Sequence, residues 1–417
     1  MKKKIIALAL IGIPAFTFVM SYCLYHFFDN KKIEIRQKID VKNNDLLSIY
    51  LETAEGSGEY KVSDDNVFPT EGYTFNETKS KCENGGSLSF DKSTGQVSMS
   101  ATSSDKCYVY FDIEKEKLGN FADYVKSLYE TQGVNGIYYH NNTLLNGAGD
   151  NSYRYAGPSD TVNNFVCFGS DEKVCPDDNL YRIIGVFDNK VKLIKYDYAT
   201  KEQLGEDGGY SKDSTPITGN YLGKQSVISE YKWGYLHDST TNNDWATRLL
   251  NTVNLNTNFL NNIESKWRDK IVSTVWNVGG MTLKNARETN AKTVYNYELG
   301  TNKINKTTSA KIGLVYLSEY YYSASPVNWT KPGWNRDETK DYRSAKKQNW
   351  MYMGVNESTI SRQSDNTMFM YYIHTSGSME YFTTGYEFGI RPTFSLNADV
   401  ELQSGMGNQT NPYRILI

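Results

Sequence analysis

The chain reads as a mixed α+β protein: an N-terminal transmembrane helix, a small all-β module, a connector helix and a larger α+β domain. Three observations predict this. An uncharged stretch opens the sequence, strict alternation marks the residues that follow it, and beyond residue 165 hairpin signals interleave with helical periodicity.

The first element is IIALALIGIPAFTFVMSYCLYHFF, Ile5 to Phe28, which follows MKKK and holds no Asp, Glu, Lys or Arg. As a helix it would reach about 36 Å, against a hydrocarbon core of roughly 30 Å. A cleaved signal peptide would be shorter and end in a small-x-small site; Ala7 and Ala9 come too early, and SYCLYHFF is bulky. The expectation is an uncleaved single-pass anchor, with residues 1–29 as cytoplasmic tail and span. Lysines flank both ends, but large domains translocate largely regardless of charge. The N-terminus is therefore expected inside the cell membrane and the remainder outside it. Residues 30–45 are polar and charged, fitting a stalk.

Residues 46–113 form the small β module. LLSIYLET, the two runs of SLSFDKSTGQVSMSA and CYVYFDI all carry strand patterns, and Val109, Phe111 and Ile113 alternate with Tyr108, Tyr110 and Asp112. Residues 114–164 follow as connector helix and irregular linker, with Leu118, Phe121, Ala122, Val125 and Leu128 on one helical face. The domain spanning 165–417 opens with a hairpin, NLYRIIGVF and KVKLIKYDY around Asp188-Asn189. Helices are predicted over 244–254, capped by Asp244, and over 256–272, with Phe259, Leu260, Ile263, Trp267 and Ile271 as an apolar stripe. IGLVYLSEYYYS (312–323) reads as a buried strand running into a loop, and 367–397 as a three-stranded meander.

Outside the membrane segment the cysteines fall into two local couples, Cys82/Cys107 and Cys167/Cys175. Zinc would want more ligands at closer spacing, and a redox CxxC is absent. In an exported chain an even number argues for disulfides, with local pairing the expected one of three connectivities. The closed loops would contribute about 3.5 and 2.5 kcal/mol in the chain-entropy account.

A formal charge of −3 leaves no basic stripe for nucleic acid. The 33 tyrosines suit either a sticky aromatic face or the codon bias that also raises Asn and Lys. No nucleophile elbow, zinc-protease, phosphate-loop or dinucleotide motif is present. His140, His237 and His374 read as surface or hydrogen-bonded residues. The acid runs Asp171-Glu172 and Asp177-Asp178 lack the alternating spacing that surrounds calcium with oxygens. Trp329, Trp334 and Trp350, with Tyr320, Tyr321 and Tyr322 nearby, are candidates for a ligand-binding platform or for core packing.

The ordered blocks NLYRIIGVFDNKVKLIKYD, WATRLLNTVNLNTNFL, WNVGG, IGLVYLSEYYYS, NWM, FGIRPTFSLN and SGMGNQTNPYRI resemble uncharacterised surface proteins of low-GC Gram-positive bacteria. LETAEGSGEY, FPTEGYTF, KCENGGSLSF and DKCYVYFDI are similar to the module that often precedes that domain. The closing segments also resemble C-type-lectin-like folds, including formylglycine-generating types; there Arg391 of GIRP would be a structural arginine. The resemblance implies no catalytic residue, metal or cofactor. The expectation is a membrane-anchored surface protein binding a glycan or protein ligand, with an exported carboxylate hydrolase or a structural envelope component as alternatives.

Overall fold

A computed structural model describes residues 47–417 except 55, 64–68, 70–71, 92–95, 101–104, 114–117, 217–218 and 236–241. The expected anchor and stalk lie outside the described residues. Among the described residues no helix is long and apolar enough to cross a membrane. The chain divides into two compact units, Met1–Glu116 and Lys117–Ile417.

The first unit is all-β. Leu47–Glu52 runs parallel to Cys107–Ile113, flanked by Tyr60–Val62 on one side and Tyr73–Phe75 on the other. Ser87–Asp91 and Gln96–Ser100 make a separate hairpin. Period-two alternation puts Ile49, Val109 and Phe111 inside, where Phe111 meets Phe75 and Phe90 edge-on. So small a core benefits from a staple. Cys82 and Cys107 face each other across the ladder and are disulfide-bonded.

The second unit is mixed α+β, rich in strands and with short helices. Its larger sheet runs Ile312–Gly313, Thr393–Ser395, Lys190–Lys195, Leu180–Phe187, Phe165–Cys167, Tyr413–Ile415, Leu402–Ser404. The predicted hairpin is there: Asp188 and Asn189 sit at φ 47° and 60°, the left-handed pair that a two-residue turn requires. A second sheet orders Tyr210–Ser214, Ile228–Lys232, Glu387–Gly389, Glu357–Arg362, Phe369–Ile373 and Met379–Thr383.

Five expectations need correction. The connector helix Phe121–Ser127 docks on the main core through Phe121, Ala122 and Val125, as its apolar face implied. The stretch that follows to residue 164 is not a linker: Tyr155 belongs to the main core, and Tyr153–Tyr155 pairs with Leu180–Phe187. The 256–272 helix breaks at Ile263, whose φ/ψ of −83°/127° is extended, although Phe259, Ile263, Trp267 and Ile271 are all buried as the stripe implied. Asp244 makes no side-chain cap; it pairs with Lys306 at 2.8 Å. In 367–397 only the first two strands form a hairpin. The third joins Ile228–Lys232 and Glu357–Arg362 instead.

The segment 312–323 departs most. Only Ile312–Gly313 is strand, and Leu317–Tyr322 is a buried helix. Its orphan N–H groups explain the change. Glu298 accepts from the Leu317 and Ser318 amides at 3.1 and 2.9 Å, and Glu319 accepts from Tyr316 N at 3.0 Å. Lys192 neutralises Glu319 at 2.5 Å. One acid from outside the run, Glu298, and one within it, Glu319, cap a helix where the apolar run suggested a strand.

Candidate functional site

The loop closed by Cys167 and Cys175, the turn Asp177–Asn179, the short helix Lys201–Leu204 and the wider helix Leu250–Phe259 converge on one groove of the second unit. Each wall is fixed locally. The disulfide closes the first loop, and Asn179 Nδ2 donates to Phe168 O at 3.1 Å while Phe168 N donates to Asn179 O at 2.9 Å. Thr200 and Gln203 form a capping box on Lys201–Leu204. Leu250–Phe259 is π-helical, a rare geometry often found at functional sites.

Asparagines hold that helix in place. Asn254 donates to the carbonyls of Leu204 and Asp207 at 2.8 and 3.1 Å and accepts from Gly209 N at 2.7 Å. Asn256 pairs with both backbone groups of Ile312, at 3.0 and 2.9 Å. Asn258 donates to Leu204 O and to the Asp207 carboxylate. Gly208, at φ 60°, leaves room for this. A Cβ there would stand 2.5 Å from Asn254 Oδ1.

The groove encloses about 550 Å³ and is lined by Asp178, Asn179, Glu202, Gln203, Asn262 and Glu264 over a floor of Phe168, Tyr181 and Phe259. Those floor rings are themselves buried, so they close the groove from below without offering a stacking face. A second recess of about 550 Å³ shares Glu202, Gln203 and Asn262 and adds Glu206, Asp207, Asn258 and Asn261. Among the described residues no lysine or arginine lines either one. Three of the carboxylates pair with a lysine: Asp178 with the buried Lys195 at 3.5 Å, Glu206 with Lys201 at 3.1 Å and Glu264 with the exposed Lys266 at 3.7 Å. Burial pulls the Lys195 ammonium below its usual range, while Asp178 acts in the opposite direction.

The tryptophan cluster does not form a platform. Trp329 is 0% exposed and donates to Ala324 O at 2.7 Å; Trp350 is 1% exposed and donates to Tyr155 O at 2.8 Å. Both indoles found carbonyl partners, so burial of their large apolar rings carries no polar cost. Trp334 alone reaches solvent, with Arg287 3.6 Å from its ring centroid. Tyr320, Tyr321 and Tyr322 are also interior. Arg391 is buried, 2.8 Å from Glu357 and 2.6 Å from Met351 O, which fits a structural role.

The remaining candidates are scattered. His140 is buried against Tyr322 and Trp329, and its Nδ1 accepts from Ala148 N at 3.0 Å; burial holds its pKa well below the ordinary value. His374 Nδ1 lies 2.8 Å from Ser376 Oγ within a tight turn. His237 lies outside the described residues. Of the acid runs, Asp171 pairs with Lys266 and Asp177 with Lys224, spending their charge on lysines. Among the described residues the single metal-type group is Cys82, Asp105 and Cys107, whose sulfurs are tied up in the disulfide.

Sequence reading missed the groove because its residues come from segments far apart in the chain and carry no motif. The spacing Asn254, Asn256, Asn258 was its one visible trace. In comparisons with protein-family models, curated proteins and solved structures, no match to this chain was found.

Proposed function

We propose that this is an exported, membrane-anchored surface protein whose second unit binds an extended, positively charged polar ligand, of basic-peptide type, in the amide-and-carboxylate groove. The observation that carries this reading is the lining itself. Asp178, Glu202, Glu206, Asp207 and Glu264 stand with Asn and Gln amides, and among the described residues no cation lines the groove. Lysines pair with Asp178, Glu206 and Glu264, which leaves Glu202 and Asp207 as the main acceptors for a ligand. Carboxylates there accept ammonium and guanidinium hydrogen bonds, the amides both donate and accept, and the negative field raises the local concentration of a cationic partner. The lack of an exposed ring in the floor disfavours stacking on a sugar face. Two disulfides support an oxidising compartment, and the apolar segment 5–28 supports anchorage. The likeness of the closing segments to lectin-like folds is in keeping with a binding role carried by loops.

The test is titration of the protein with a lysine-rich peptide. Binding should weaken steeply with salt and fall at least tenfold in a Glu202→Gln, Asp207→Asn double variant. An absence of binding at low ionic strength rejects the reading. Turnover of a glycoside or peptide panel, abolished by one of those changes, would replace it with a carboxylate hydrolase.

A further inference from the structure

A cleft of about 420 Å³ in the second unit is lined by Arg343, Ser344 and Lys346 from one segment and by His374 and Ser376 from a turn distant in sequence. That volume falls within the roughly 300–1,000 Å³ common for small-molecule sites. Its character is the opposite of the groove's: two cations, an imidazole and two hydroxyls converge on it.

The turn is held firmly. His374 N donates to Ser378 O and Gly377 N to His374 O, both at 2.8 Å. From outside, the Tyr320 hydroxyl donates to Gly377 O at 2.8 Å, and Thr375 N donates to Asn356 Oδ1 at 2.9 Å. Gly377 sits at φ 95°, and a Cβ there would stand 3.0 Å from Lys346 Cβ. Glycine thus lets the turn lie directly against the lysine stem.

The donors keep capacity for a ligand. Ser376 N donates to His374 Nδ1 at 3.2 Å, so that nitrogen is an acceptor and the neutral ring carries its proton on Nε2. Burial, and then the charge of Arg343, holds the His374 pKa below its ordinary value, which keeps that neutral form at pH 7. Arg343 commits four of its five N–H donors to Asp341, Asn335 O and Glu338, leaving one on Nη1. Among the described residues no acid answers the charge of Lys346. Glu338 also lines the cleft, but Arg343 engages it at 3.0 Å and its side chain is largely exposed.

We infer that this cleft is a second binding site, independent of the acidic groove, for a tetrahedral oxyanion group: the phosphate or sulfate ester of a small molecule. Such a group presents three strong acceptor oxygens, which Lys346, the free Arg343 N–H, His374 Nε2–H and the serine hydroxyls can share. A carboxylate has one oxygen fewer to offer the same donors. The cleft is larger than the oxyanion alone, so the body of the ester takes the remaining space.

The experiment is calorimetric titration of the detergent-solubilised full-length chain, with the His374 ring signals, assigned by their loss in His374→Gln, followed by NMR. The probes are inorganic phosphate, inorganic sulfate, glucose 6-phosphate and, as the neutral control, glucose. At least one oxyanion should bind with a Kd of about 1 mM or tighter and raise the His374 pKa by about half a unit or more. Whichever of phosphate and sulfate binds more tightly names the ester. Lys346→Ala should weaken that Kd about tenfold. Glu338→Gln, which removes the one lining acid, should tighten it, and Glu202→Gln in the groove should leave it unchanged. The inference is overturned when no oxyanion binds at about 20 mM, when glucose binds as well as its phosphate, or when Lys346→Ala keeps the wild-type Kd.

Discussion

Glu298 is the residue whose environment has the plainest consequence. Its carboxyl is pushed up to about 7, first by burial, against the pull of Ser318 and Ser361. The folded chain therefore holds this proton more tightly than the unfolded chain, where the ordinary value is 4.5. Its contribution is most favourable below that value, declines as pH rises, and is fully lost above about 7. At about 1.4 kcal/mol per unit the loss amounts to about 3 kcal/mol. Urea midpoints should fall for the wild type between about pH 5 and 7.5, and much less for Glu298→Gln; an equally steep profile in the variant would refute the assignment. The tryptophans separate in the same assay. Trp329→Ala and Trp350→Ala should each cost about 3–5 kcal/mol as cavity-forming changes, and Trp334→Ala about 1 kcal/mol or less. Sequence could name these three rings but not sort them, because an indole at the surface and one inside with its N–H satisfied look alike in one dimension.

At the scale of elements, the Cys167–Cys175 loop forms one wall of the acidic groove through Phe168 and Gly169. Replacing both cysteines by serine should cost about 2.5 kcal/mol and weaken lysine-peptide binding. Removing Cys82 and Cys107 together should leave that binding unchanged while destabilising the first unit by about 3.5 kcal/mol. Calorimetry and the same peptide titration check both. Elements with local causes were legible. The 180–195 hairpin was written in its alternation and turn residues, and the β module in its period of two. Leu317–Tyr322 was not, because the acid that caps it from outside lies at position 298. The long helix over 256–272 was overdrawn because an apolar stripe specifies which residues are buried and not whether the backbone between them is continuous.

For the molecule as a whole, the α+β class was legible and the start of the second unit, at 117 and not at the expected 165, was not. Gly- and Asn-rich sequence from 130 onward looks like linker by composition, yet Ile137, Ala148, Tyr155, Ala156 and Val162 reach the main core. A chain begun at residue 117 should therefore keep the wild-type melting transition of the second unit, whereas one begun at 165 should lose it. Circular dichroism melts of the two truncations decide this. The abundance of asparagine, easily set aside as codon bias, turns out in part to be carpentry around Leu204 and Ile312. Side-chain amides are chemically perishable. Hydrolysis of Asn254 to a carboxylate would face oxygen against the Leu204 and Asp207 carbonyls where two hydrogen bonds now hold; its burial in the helix shields from deamidation the joint that shapes the cleft.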